Sequence, residues 1–248
     1  MKLFLFFLKR DLRLLFPVNM IIFMMFIVAT LLTKLLQLRR GGVFDEVHFS
    51  VIVFLLFFFS LLSVMAIIIE SIWREWRKGT QFDWYLYPGS MHVKLISKVI
   101  AIFIWQYFQL IVAICVVVVL LFWTGDDSFR QDLFIGEFSV IDEFSWEYLW
   151  GLIIVPFVAI VQILFGCLLF FGLKSMWRFF YVMIYTSIVF ILYPYVYIKL
   201  YPTEEPVETE PILGLVLDVN HSQFIFDVIL ALSIYGLMYI FAVKKLEL

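Results

Sequence analysis

Charge is scarce in this chain. Charged residues make up 15% of its 248 positions, against about 25% in an ordinary soluble domain, too few to cover a water-facing surface. Cysteine and histidine are scarcer still, with two and three copies. Cys115 and Cys167 both lie in apolar runs, where a thiol behaves as a small hydrophobe, so neither a disulfide framework nor a metal site is expected. No histidine pair at helical spacing accompanies a glutamate, no Gly-x-Ser-x-Gly elbow occurs, and no apolar run holds a Glu-Glu or Asp-Asp pair. The devices of metallohydrolases and serine hydrolases are therefore missing. The Gly-x-x-x-x-Gly-Lys phosphate loop is absent too, so the chain is expected to bind no ATP by that means and to be no enzyme. No small-residue cleavage site follows the basic N-terminus, so a removed signal peptide is not expected. There is no internal repeat or low-complexity segment.

What the chain has in abundance is apolar length. Hydrophobic residues reach 65% and aromatics 20%, with a mean hydropathy of +1.05. A helix crossing a hydrocarbon core of about 30 Å needs about 20 mostly apolar residues. Runs from Pro17 to Leu38, Phe49 to Ile69, Val99 to Trp123, Trp150 to Leu173, Phe179 to Ile198 and Phe224 to Val243 each meet that length. They predict one all-α integral membrane domain over 1–248 with six transmembrane helices, at about 17–38, 49–70, 98–123, 149–173, 178–199 and 224–243. The polar break from Lys174 to Arg178 suits a short helical hairpin between the fourth and fifth.

Cytoplasmic segments carry the excess of Lys and Arg. With both ends inside, the inner segments hold thirteen of the 18, including Lys9, Arg10, Arg74, Arg77, Lys94, Lys174 and Lys244, and the outer segments hold Lys34, Arg39, Arg40, Arg130 and Lys199. The count favours N-in and C-in, although Arg39 and Arg40 run against the rule locally. On that topology His48, His92 and His221 fall on both sides of the membrane and form no cluster. Asp126, Asp127, Asp132, Glu204, Glu205, Glu208 and Glu210 describe an acidic outer face.

Residues 1–16 are too short and too charged to span. At about 100° per residue Lys2, Lys9, Arg10 and Arg13 share one sector, while Leu3, Phe4, Phe7, Leu8, Leu12, Leu14 and Leu15 fill most of the rest, as in an interfacial amphipathic helix. Phe6 and Asp11 fall on the wrong sides of it. Pro17 is expected to break the chain between this helix and the first span, the alternative being a cytoplasmic extension of that span. Two outer loops are long. Thr124 to Tyr148 is too apolar for a free linker, and Leu200 to Gln223 turns apolar at Ile212 to Val219, a stretch that predicts a re-entrant segment before the sixth span.

Few polar residues interrupt the spans, and no ionisable one sits at mid-membrane, where a proton- or ion-driven transporter would be expected to keep one. Gln106 and Gln109, at i and i+3, share a face of the third span and with Gln162 are candidates to line a pathway, though helix–helix hydrogen bonding is the favoured account of them.

The connection between the second and third spans is the most specific stretch: Glu70-Ser-Ile-Trp-Arg-Glu75-Trp-Arg77-Lys-Gly79-Thr80-Gln-Phe-Asp83-Trp84-Tyr85-Leu86-Tyr-Pro88-Gly89-Ser90, with Lys94, Ser97 and Lys98 after it. Thr80 is a fair N-cap and Asp83 stands where a capping box places its acid. A short cytoplasmic helix bounded by Gly79 and Pro88 follows, more aromatic than solvation requires. An aromatic belt with snorkelling cations is the plainer account of the same residues.

This stretch resembles the permease subunits of ABC-2 type exporters. In that family a Glu, an Arg-rich turn, Gly-Thr, a short acidic and leucine-containing helix, Pro and a Gly-Lys or similar pair lead from the second span into the third, and Glu75, Arg77, Gly79, Thr80, Leu86, Pro88 and Lys98 stand at the matching positions. The family's acid usually lies two residues after the Thr, where this chain has Phe82 and carries Asp83 one later, and Ser97 replaces a common Gly. The resemblance implies a permease in a cell membrane, that of a bacterium, paired with a second copy or a paralogue. It also implies that the short helix, with Asp83, Trp84, Tyr85 and Leu86, is the coupling helix docked on a separate ATPase subunit that binds ATP and Mg. Cargo in the family ranges over peptides, lipids, polysaccharide precursors, drugs and haem-maturation cargo. A haem-maturation permease remains an alternative, as does a non-transporting scaffold or sensor. A scaffold gives no reason for the Gly-Thr to Pro segment, and a secondary transporter would need the missing mid-membrane charges.

Overall fold

The computed structural model describes residues 2–39, 46–77, 89–124, 146–173, 177–192, 195 and 221–246. Among them there are helices and no strands. In chain order they are α1 (Lys2–Arg39), α2 (Glu46–Arg77), α3 (Met91–Thr124), α4 (Trp146–Gly172), α5 (Arg178–Ser187, continued by a π-helical turn, Ile188–Leu192) and α6 (His221–Leu246). Four stretches are long and apolar enough to cross a membrane: Lys2–Leu32, Met91–Val116, Ile153–Gly172 and Ile225–Lys244. Helices are the expected solution for such sequence, because only a helix or a closed barrel satisfies every backbone group within hydrocarbon.

The longer helices bury one stripe among their described residues and expose apolar side chains elsewhere. In α1 the buried stripe is Phe7, Asp11, Leu15, Asn19, Phe26 and Thr30, while Ile21, Met24, Met25, Val28, Leu31 and Leu35 are exposed. A surface of that kind is costly in water and suits lipid. The stripe passes through Pro17 unbroken. α1 is one helix of 38 residues with Pro17 inside it, so the expected break at that residue does not occur, and residues 2–16 extend the helix instead of forming a separate interfacial one. Proline removes one N–H and loosens the preceding turn, and side-chain donors serve carbonyls there. The Asn19 amide donates to the Leu15 carbonyl at 2.9 Å, and the Trp105 indole N–H donates to the Leu12 carbonyl at 3.1 Å. These bonds tie the turns on either side of Pro17, while the carbonyl that the proline itself leaves without its N–H is that of Arg13.

The chain divides into two compact units: Met1–Phe7, Ser71–Val99 and Ser145–Leu248 in the first, Leu8–Glu70 and Ile100–Phe144 in the second. The first unit is built around α4. Val158, Val161, Leu164, Phe165 and Leu168 of α4 are buried, as are Ala231, Ile234, Met238 and Ala242 of α6, and the Phe165 and Phe241 rings meet at 6.3 Å. On another side α4 receives α5. Tyr185 donates to the Gln162 carbonyl at 2.8 Å and meets the Phe165 ring edge-on at 5.1 Å. Gly166 makes room for this approach, since a Cβ there would lie 3.3 Å from the Tyr185 ring. Arg178, in the first turn of α5, stacks its guanidinium over Phe170 at 5.0 Å. α5 buries none of its residues.

In the second unit α1 and α3 are joined by the Trp105 bond to Leu12 and by an amide bond from Gln109 to Asn19 at 2.6 Å. Trp105 also stands against Phe16, ring centroids 6.0 Å apart.

Candidate functional site

The last turns of α2 and the first turns of α3 flank the segment that the sequence singles out, and both are buried on one face. Ser71, Ile72 and Glu75 of α2 and Met91, Lys94, Leu95, Ser97 and Lys98 of α3 are all buried. Glu75 follows Ile67, Ile68, Ser71 and Ile72 at helical spacing, so its carboxylate continues an apolar stripe instead of leaving for solvent.

Lys98 meets it there. Its Nζ lies 3.1 Å from Glu75 Oε1, with side chains only 1% and 2% exposed, and it also reaches the Ser71 carbonyl at 3.5 Å. Withdrawing either charge from water alone would be costly, and the pair is tolerable only with close geometry and further hydrogen bonds. The consequence is mechanical. The two ends of the intervening chain are tied together by a contact that cannot be half broken without leaving a charge in an apolar site.

The start of α3 is fixed independently. Ser90 is its N-cap: the backbone N–H of Val93 reaches the Ser90 hydroxyl at 3.4 Å and the Ser90 carbonyl at 3.0 Å, satisfying a donor that a helix start otherwise leaves free. Gly89 precedes it at φ 138°, a backbone state that side-chain-bearing residues rarely adopt. A Cβ at Gly89 would lie 3.4 Å from the Phe7 ring. Phe7 in turn lies under the ammonium of Lys94 at 5.6 Å, and the Ser97 hydroxyl donates to the Lys94 carbonyl at 2.8 Å. Gly89→Ala is expected to destabilise the fold by about 1–2 kcal/mol through its backbone state. Thermal unfolding of the purified variant in detergent measures it.

Two aromatic contacts complete the neighbourhood. His92 Nδ1 and the Tyr235 hydroxyl are 2.7 Å apart, and Tyr239 meets the same imidazole edge-on at 5.9 Å. Trp73 and Trp76 of α2 lie against Phe171 of α4, at 5.7 and 6.4 Å, so the aromatic collar at the end of α2 packs on protein.

Of the residues expected to contact an ATPase, Glu75 is buried and Arg77 is exposed at the end of α2. Gly79, Thr80, Asp83, Trp84, Tyr85, Leu86 and Pro88 lie outside the described residues, as does the expected re-entrant segment at Ile212 to Val219. Gln106 and Gln109 lie in the second unit, one turn apart on α3, whereas Gln162 belongs to the first, where its carbonyl accepts from Tyr185. Sequence reasoning placed Lys98 in the motif but did not pair it with Glu75, named Lys94 without giving it a role, and passed over Ser71 and Asp227; Lys94, Ser71 and Asp227 are all buried. A signal was available: Asp11, Glu75 and Asp227 each fall in phase with a buried apolar stripe on their own helix. Among the described residues no group of three His, Cys, Asp or Glu side chains gathers as a metal site would require. No protein-family model matches the chain, and no curated protein or solved structure is found to be similar to it.

Proposed function

We propose that this chain is the membrane-spanning permease subunit of an ABC-2 type exporter, with six spans and both ends in the cytoplasm, moving its cargo outward with ATP hydrolysed by a separate subunit. The observation that carries the reading is the buried Glu75 and Lys98 pair. Both residues stand at positions where the sequence resembles that family, and they bind each other across the segment from Lys78 to Pro88 that the resemblance makes a coupling helix. A lever needs a fixed base, and a desolvated ion pair with a capped helix behind it is one. Glu75 therefore acts by holding the segment, not by touching the ATPase. Contact falls to the aromatic residues between the two ends, and Arg77, exposed at the close of α2, adds charge at the rim. A second permease copy or a paralogue completes the assembly.

Two measurements test this. The tagged chain, solubilised from its native membrane in mild detergent, is expected to bring down an ATP-hydrolysing subunit, and its recovery without any ATPase overturns the exporter reading. Orientation is tested separately in a background lacking Cys115 and Cys167. Ser128→Cys and Thr209→Cys are expected to react with a membrane-impermeant thiol reagent on intact cells, and Ser90→Cys is not. The reverse pattern places the segment outside, where no ATPase could reach it.

A further inference from the structure

Halfway along α3 the buried face changes character. Ile102 and Ala113 are buried on it, and between them, at spacings of four, three and four, come Gln106 and Gln109. The opposite face carries Ile104, Phe108, Ile111 and Ile114, all exposed. A polar pair thus sits within the protein-facing stripe, well past the polar first turns of α3.

The hydrogen bonds around the pair run in one direction. Gln109 Nε2 donates to Asn19 Oδ1 at 2.6 Å, and Asn19 Nδ2 donates to the Leu15 carbonyl at 2.9 Å. That chain fixes both amide orientations. Turning the Asn19 amide over would set its oxygen against a carbonyl oxygen, and turning Gln109 over would set two amide oxygens together. The free end of the relay is Gln109 Oε1, a buried acceptor that no described donor reaches, and Gln106 Oε1, one turn earlier, is in the same state. The nearby indole N–H of Trp105 is already committed to the Leu12 carbonyl. A buried acceptor left unmade carries its full desolvation penalty. Leucine at either position would avoid that penalty. Side chains at i and i+3 share one face of a helix, so one group with two hydrogens to donate can lie beside both.

We propose that Gln106 and Gln109 form a binding site for a doubly donating group, either water or the primary ammonium of an apolar solute, on the buried face of α3. The two unmatched oxygens call for N–H or O–H, which a quaternary amine lacks. The assignment concerns the second unit alone and does not require that ATP drive the protein.

The experiment uses the full chain in nanodiscs, in the native form and as the Gln106→Leu/Gln109→Leu variant. In the first arm, radiolytic hydroxyl-radical labelling in oxygen-18 water reports resident water as label on Ile102 and Gln106 in the native protein, with loss of label on Ile102 in the variant. In the second arm, thermal unfolding is followed with octylamine and with octyltrimethylammonium, which share charge and chain length but differ in donors. A solute site gives a rise in Tm with octylamine only, lost in the variant. Either result supports the acceptor site and identifies what fills it. No label on Ile102 or Gln106, together with no shift or equal shifts for the two amines, overturns the proposal. If the double variant does not fold, Gln106→Met is measured in its place under the same criteria.

Discussion

Lys98→Met alone is expected to lower the stability of the protein by about 3–5 kcal/mol, because it removes the opposite charge beside the Glu75 carboxylate in a site that is nearly closed to solvent. The lysine ammonium lies 3.1 Å from that carboxylate, and both side chains are buried. Methionine keeps most of the volume and removes the charge, so the loss is electrostatic more than steric. The double variant Glu75→Leu/Lys98→Met is expected to recover most of the loss, since an apolar pair of similar size has no desolvation penalty to offset. Thermal unfolding of the three purified proteins in one detergent reads both effects. If the single variant unfolds within a degree of the native protein, the pair is not buried as described. A double variant that is stable but no longer retains an ATPase would separate holding the fold from holding the lever.

Trp84→Ala/Tyr85→Ala is expected to leave the protein folded in the membrane and to abolish most retention of the ATP-hydrolysing subunit. Buried aromatic anchors dominate protein interfaces, and removal of one commonly costs about 2 kcal/mol or more, or roughly 30-fold in affinity. Arg77→Ala is expected to weaken the same association less, because a rim charge acts chiefly on the rate of encounter. The readouts are the amount of ATPase recovered with the tagged chain and the ATP hydrolysis of the reconstituted pair. Full recovery and full hydrolysis in the double variant would make the segment an aromatic belt with no coupling role.

Helix positions were legible because they depend on run length alone. The apolar runs beginning at Val99, Trp150 and Phe224 each lie within helices long enough to cross a membrane, and the break near Lys174 falls between α4 and α5. Pro17 was misread for a physical reason. The turns around Pro17 are held by contacts that lie far off in sequence, as in the bond from the Trp105 indole to the Leu12 carbonyl 93 residues away. The candidate site was legible as positions and not as a contact. A Glu and a Lys at the ends of two apolar runs read as a solvated collar, and only the packing of α2 against the start of α3 turns them inward. The resemblance marked both residues, yet it carried no information about which way their side chains turn. Gln106 and Gln109 were visible as a pair sharing a face, but the direction of the amide relay depends on Asn19, far off in sequence.

The ion pair also bears on how the protein is made. Translation delivers Glu75 before Lys98, and at ordinary synthesis rates the lysine emerges on the order of seconds later. During that interval the end of α2 lacks the Lys98 ammonium that lies beside its carboxylate in the finished protein, and an ionised group is more stable at the water boundary than in an apolar site. Arrival of α3 supplies the cation, and only then does burial of the end of α2 become favourable. The second helix is thus seated by the third, and a nascent chain arrested between them would hold α2 in a shallower position than the finished protein does.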